Sequence, residues 1–410
     1  MKSENKKYWF YVYPHVYFYY MQEKMLLYNT HNGLYIESND KECIQLIKEI
    51  YDPQNLGAIL VSKVHLSCSK IIDEIILKSM GRLVELQKQV EKPVNLLPIL
   101  NVQRDVEKLI LQNSNLLRHN IISYLSELDI FINQKCTQSC SHCKKYFRQY
   151  KSCKKQYSNV ELSIDIIKNI LSQIKLSSVS KINILGGNIF KYTQWSNLLE
   201  VISHHRNFHF HFWINYLNLI DNQVFSPLNM FFMEILVTFP IQIMALERLL
   251  KSCNRNFMFH FFIENEEQYG ESIRIIDNLA IENYNFVPIY TGKNKSFFSK
   301  SIFLEKNDIF SSTISMREIF RNKKLNANDF GTFIIFPDGS VKANINTKIL
   351  GNINEISILE LIYRELLENT AWRVVRNNMM CNNCLYQFLC PPPSNYEKVI
   401  GIPNLCHVED

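Results

Sequence analysis

The sequence lacks the marks of export and of membrane insertion. Residues 1–10 show no basic stretch followed by an apolar one, and the longest apolar runs, such as Met230 to Phe239, stop well short of the roughly 18 residues a spanning helix requires. The expectation is a cytoplasmic protein without a membrane partner. A large charge of one sign is missing too. The 45 Lys+Arg and 39 Asp+Glu leave only +6 over 410 residues, too little and too dispersed for a chain that grips nucleic acid as a polyelectrolyte. No internal repeat and no low-complexity tract is present.

Apolar residues supply 47% of the chain, enough for well-filled interiors, and the length suggests two or three domains rather than one core. Cysteine is plentiful at eleven residues. In a reducing compartment thiols stay free, so this number argues for metal ligation or catalysis ahead of disulfides.

The pattern along the chain divides it into residues 1–90, a connector over 91–125, a region over 126–305 and a tail over 306–410. Residues 8–36 alternate aromatic and polar positions around Asn32-Gly33, a strand-turn-strand pattern. Helical patterns over Cys43 to Tyr51 and Ser69 to Leu86 flank a short strand near Ala58 to Val61. Three strands and two helices make a small front domain. Over 126–305, apolar strands at Leu128 to Ile132, Ile182 to Leu185, Phe208 to Ile214, Phe232 to Thr238, Phe257 to Ile263 and Phe286 to Tyr290 alternate with helical patterns. Such alternation implies parallel strands with crossover helices, an α/β fold, and six units suggest a partial (β/α)6 barrel of the TIM type. Pro337-Asp338-Gly339 marks a hairpin, and Ser357 with Glu360 starts a helix with a capping box.

Two cysteine constellations stand out. Cys136-Thr137-Gln138-Ser139-Cys140-Ser141-His142-Cys143 follows the first barrel strand. Three thiolates on one tight loop can hold three irons of a 4Fe-4S cube and leave the fourth open, and barrel chemistry gathers at the carboxyl ends of strands. A zinc site using these cysteines and His142 is the competing reading. Cys381, Cys384, Cys390 and Cys406 form the second group, able to ligate one cube fully or to make a four-cysteine zinc knuckle. Cys43, Cys68, Cys153 and Cys253 fall singly in or beside helical patterns and read as small hydrophobes. His209 and His211 share one face of a strand, with ordinary packing the simplest role. Lys144, Lys145, Arg148, Lys151, Lys154 and Lys155 follow the first loop and read as a solvated face able to attract an acidic peptide.

A C-x3-C-x2-C loop after the first strand of a partial barrel resembles the radical S-adenosylmethionine (SAM) superfamily. The resemblance implies that the open iron binds SAM and that reduction releases a 5'-deoxyadenosyl radical. His142 fits the aromatic position before the third cysteine. Gly186-Gly187-Asn188, ending the second strand, resembles the family's Gly-Gly-Glu contact to SAM, with Asn188 in place of the glutamate, and Asn215 resembles the Thr-Asn turn near SAM. Thr238-Phe239-Pro240 stands where relatives often carry an acidic turn. The tail, with Phe336-Pro337-Asp338-Gly339, Leu350-Gly351-Asn352 and the second cysteine group, resembles the SPASM extension of peptide-modifying members. Asn344, Ile356 and Ser394 occupy positions where a second auxiliary cluster would need cysteine, so one auxiliary 4Fe-4S cluster is implied.

The front domain resembles the winged-helix-like modules that recognise precursor peptides, pairing a leader with an exposed strand edge. Residues 1–90 carry 11 Lys+Arg and 10 Asp+Glu, and 11 minus 10 leaves +1, which disfavours a DNA-binding winged helix. The whole resembles a radical SAM/SPASM maturase of a ribosomally made precursor peptide, served by a reductant protein such as flavodoxin or ferredoxin. Some relatives are pseudoenzymes, which leaves the alternative of an inactive partner that binds precursor peptide and assists a second maturase.

Overall fold

In the computed structural model, residues 7–62, 68–86, 91–94, 101–112, 121–138, 140, 143–154, 159–222, 231–252 and 257–408 are described. The aromatic amino-terminal stretch forms four strands, β1 (Lys7–Val12), β2 (Val16–Met21), β3 (Lys24–Asn29) and β4 (Tyr35–Ser38), not the one strand-turn-strand unit its alternation suggests. The extra reversal sits at Gln22 and Glu23, whose φ values of +46° and +63° are left-handed without any glycine to announce them. The Asn32-Gly33 reversal is where the sequence puts it, with Gly33 at φ +75°. Asp40 then caps α1 (Lys41–Tyr51) by accepting from the N–H groups of Glu42 and Cys43.

After β5 (Ala58–Ser62) comes α2 (Ser69–Leu77), which ends nine residues before the expected Leu86. The remainder is β6 (Gly81–Glu85), paired antiparallel to β1. A Cβ on Gly81 would lie 2.5 Å from the Tyr11 carbonyl, so this close pairing needs glycine. The front end therefore holds two antiparallel sheets, β5-β1-β6 and β2-β3-β4. Strand β3 is buried on both sides. Met25 and Leu27 join the front core with Ile44 and Ile75, while Leu26 and Tyr28 pack on Ile319, Leu385 and Leu389 of the tail.

The second region builds β7 (Glu127–Phe131), β8 (Lys181–Leu185), β9 (His209–Asn215), β10 (Phe232–Val237), β11 (Phe257–Ile263) and β12 (Tyr284–Pro288), all parallel and in sequence order. The tail adds β13 (Thr332–Ile335), parallel to β7, then β14 (Ser340–Lys342) and β15 (Gly351–Asn352), antiparallel. The result is one open nine-stranded sheet. Closure would require β12 to pair with β7, but β13 already holds that edge.

Side chains alternate across this sheet. One face carries Ile130, Ile184, Phe212, Ile235 and Phe261 against the helices. Helix Asn101–Gln112, inside the expected connector, adds Val106 and Leu109 to this core. Each such buried aliphatic or aromatic side chain contributes about 1.5–3 kcal/mol relative to exposure. The other face carries Phe131, Leu185, Trp213, Leu236 and Phe262 toward the strands' carboxyl ends, covered by Tyr146 and Phe336. Helix Ile358–Glu368 forms the Ser357 half of its capping box, the hydroxyl accepting from the Glu360 N–H. Among the described residues no helix is long and apolar enough to cross a membrane.

Candidate cysteine metal centres

The loops that leave β7 and β8 are stitched together. Asn133 donates its amide to the Asn188 carbonyl at 2.9 Å and accepts from the Gly187 N–H at 3.1 Å, and the Asn188 N–H donates to the Lys135 carbonyl at 2.6 Å. A Cβ on Gly186 would meet Asn133 Oδ1 at 2.5 Å, and one on Gly187 would meet the Lys135 carbonyl oxygen at 2.4 Å. The space these glycines leave is filled by the chain itself, and it fixes the start of the cysteine loop. Asn188 is buried, its Oδ1 accepting from the Phe190 N–H at 3.1 Å.

Cys136, Cys140 and Cys143 follow, each half-buried, at the carboxyl end of β7. His142, singled out in the sequence, lies outside the described residues. Asn215 is buried at the end of β9, donating to Thr238 Oγ1 at 3.1 Å and accepting from the Leu217 N–H at 3.0 Å. One turn on, the fully buried Asn218 places its amide nitrogen 3.7 Å from Cys136 Sγ. Cys153 also belongs here, its carbonyl oxygen 3.9 Å from Cys143 Sγ. A hydrogen bond with Cys143 and burial hold its thiol well above the ordinary range, and the charges of Cys143, Cys140 and Cys136 act the same way. Sequence reasoning read Cys153 as a small hydrophobe and passed over Asn218. The spacing of Asn218 from Asn215, one helical turn, was the available signal.

The second group converges more plainly. Cys381, Cys384, Cys390 and Cys406 all line one cavity of about 380 Å³, together with Arg376, Gln387 and Gln22 from the β2–β3 turn. Cys406 arrives because the tail pairs with Leu304, the Leu304 N–H donating to the Leu405 carbonyl and the His407 N–H to the Leu304 carbonyl. Asn378 and Asn404 point their amides at Cys381 Sγ and Cys406 Sγ, at 3.2 and 3.3 Å. Burial pushes the Cys390 thiol up to about 12, against the pull of Arg376 and with the help of Cys384, Cys406 and Cys381. Of the three positions without cysteine, Asn344 bonds Asp329 and Asn395 at 2.7 and 2.8 Å, Ser394 caps helix Asn395–Ile400, and Ile356 fills the space beside Gly351.

Among the described residues, no three His, Cys, Asp or Glu side chains stand ready-grouped around a metal position. Neither a protein-family model nor a curated protein matches this chain. The chemistry of the site thus rests on its donors. Both groups offer soft thiols with amide donors aimed at sulfur, a set suited to iron-sulfur clusters or zinc and unsuited to hard cations.

Deeper on the same sheet face lies a polar layer. Glu234 accepts from His211 Nδ1 and His260 Nε2, both at 2.8 Å, and the Trp213 ring stacks on His260 at 4.9 Å. Trp213 donates to Asn183, which donates to Glu127 and Asp129 at 2.6 Å each, and Lys151 pairs with both carboxylates at 2.5 and 2.9 Å. Burial alone would raise the Glu234 carboxyl, but the two histidine bonds prevail and hold it at about 2. His209, on the same face, is exposed.

Proposed function

We propose that this chain is a radical SAM protein acting on a ribosomally made precursor peptide. Cys136, Cys140 and Cys143 would hold the reducible 4Fe-4S cluster, and Cys381, Cys384, Cys390 and Cys406 an auxiliary one. The observation that carries the reading is the place of the three-cysteine loop. It leaves the first of six parallel strands in sequence order, the strand order of a partial barrel, and lies against the double-glycine end of the second. When bound, the cluster supplies the electron that cleaves SAM to a 5'-deoxyadenosyl radical able to abstract hydrogen from a peptide.

The chain's own groups prepare that site. Asn133 locks the two loops together, Gly186 and Gly187 permit their close approach, and Asn218 directs an amide at the Cys136 sulfur. Donors to a ligating sulfur spread its charge and tune the potential of what it binds. Among the described residues, the outer edges of β5 and β6 carry no further strand and could take a leader peptide. Electrons would come from a flavodoxin- or ferredoxin-like protein.

A second reading, a partner that binds precursor without turnover and assists another maturase, is favoured by Asn188. By the resemblance it replaces the family's glutamate, and its Oδ1 accepts from the Phe190 N–H. Anaerobic reconstitution with iron and sulfide, then reduction in the presence of SAM, decides between them. The enzyme yields 5'-deoxyadenosine. The partner binds precursor peptide and yields none.

A further inference from the structure

Beside the first cysteine loop lies a cleft of about 440 Å³ that the proposed chemistry leaves unused. Its wall carries three cations, Arg148, Lys154 and Lys342, and among the described residues none of them forms an ion pair. Arg148 Nε donates to Asn346 Oδ1 at 2.9 Å, and Lys154 Nζ lies 4.9 and 4.7 Å from the centroids of the Phe147 and Phe336 rings. Asp338, the one carboxylate among the described residues lining the cleft, accepts from the Ser340 N–H at 3.0 Å and the Ser340 hydroxyl at 2.7 Å, bonds internal to the hairpin. Gln134, only 6% exposed, lines the cleft as well. Burial and the charge of Lys342 push Lys154 below the usual lysine range, with Asp338 opposing, and burial and Arg148 do the same to Lys342.

We infer that this cleft binds a carboxylate of an acidic peptide segment, an Asp or Glu side chain flanked by an apolar residue. Three cations held together at a cost in mutual repulsion are stabilised when an anion enters among them. The Phe147 and Phe336 rings give the neighbouring apolar side chain a surface, which a bare phosphate would not use. The location fits substrate, since Gln134 precedes Cys136 by two residues and Lys154 follows Cys153 directly. The assignment of a peptide rests on the function proposed above. The test is built so that the two fail separately.

The probe is a fluorescein-labelled, end-capped hexapeptide alternating Glu and Phe, titrated by anisotropy into the full chain reconstituted anaerobically. A peptide alternating Gln and Phe is the control. The Glu peptide should bind, the Gln peptide at least tenfold more weakly, and Lys154→Gln and Lys342→Gln should each weaken the Glu peptide about tenfold. Melting curves confirm the fold of each variant, and either lysine alone suffices if the other fails to fold. Saturating SAM should leave the peptide bound. Equal binding of the two peptides, unchanged binding by folded variants, or full displacement by SAM or by inorganic phosphate would overturn the assignment. Deoxyadenosine formation, measured on the same sample, reports on the radical reading independently.

Discussion

At the scale of single residues, the start of the cysteine loop is held by approaches so close that no side chain fits at Gly186 or Gly187. Gly187 has backbone at 2.4 Å from where its Cβ would stand. Gly187→Ala must therefore push the cysteine loop away, at about 1–3 kcal/mol. Thermal melting should show the loss, and iron content after reconstitution should fall by one cluster while the tail's cluster remains. Glu234 gives a second residue-scale test. Its carboxyl titrates at about 2 when folded against an ordinary 4.5, so it contributes roughly 3 kcal/mol above pH 4.5 that is lost as the pH falls toward 2. Denaturant melts of Glu234→Gln should show that deficit at pH 7, narrowing toward the wild type as the pH drops below 4. An equal deficit at every pH would contradict the role assigned to its ionisation. The two cysteine groups stand out from spacing alone. Asn218 and Cys153 did not, because the spacing of Asn218 from Asn215 shows only a shared helix face, not an amide aimed at sulfur, and a thiol brought back by a loop leaves no local pattern.

Among the elements, the parallel strands were legible because each is a short, mostly apolar run rich in β-branched and aromatic residues, and most are followed by a helical pattern. The front end was not. Its four strands hide inside one alternating stretch, since the Gln22-Glu23 turn lacks turn residues, and β6 reads as a continuation of the helix before it. More consequential is the sandwiching of β3, whose Leu26 and Tyr28 face the tail near Leu385 and Tyr386. Glu37 of β4 accepts from Tyr386 at 2.9 Å and pairs with Lys306 at 2.9 Å, and Tyr19 donates to Gln387 at 3.1 Å. The sheet that a sequence reading assigns to peptide recognition also braces the tail cysteines. Leu26→Ala should cost about 2–5 kcal/mol and lower metal retention at the tail site, read by elemental analysis after dialysis. Retention equal to the wild type in a destabilised but folded variant would show the brace to be merely structural.

For the whole molecule, one continuous sheet joins the region carrying the first cysteine loop to the tail carrying the second, through the β7–β13 pairing. The front sheet clasps the tail from outside. The two cysteine groups are thereby positioned by a shared frame, and the cationic cleft lies between the first loop and the β13–β14 hairpin. The decisive measurement is Mössbauer spectroscopy of the chain reconstituted anaerobically with iron-57 and sulfide, with and without SAM. Two 4Fe-4S clusters are expected, one of them with a single iron whose signal changes when SAM is added and which disappears in the Cys136→Ala, Cys140→Ala, Cys143→Ala variant. A lone cluster indifferent to SAM and retained in that variant, or zinc without sulfide, would contradict it.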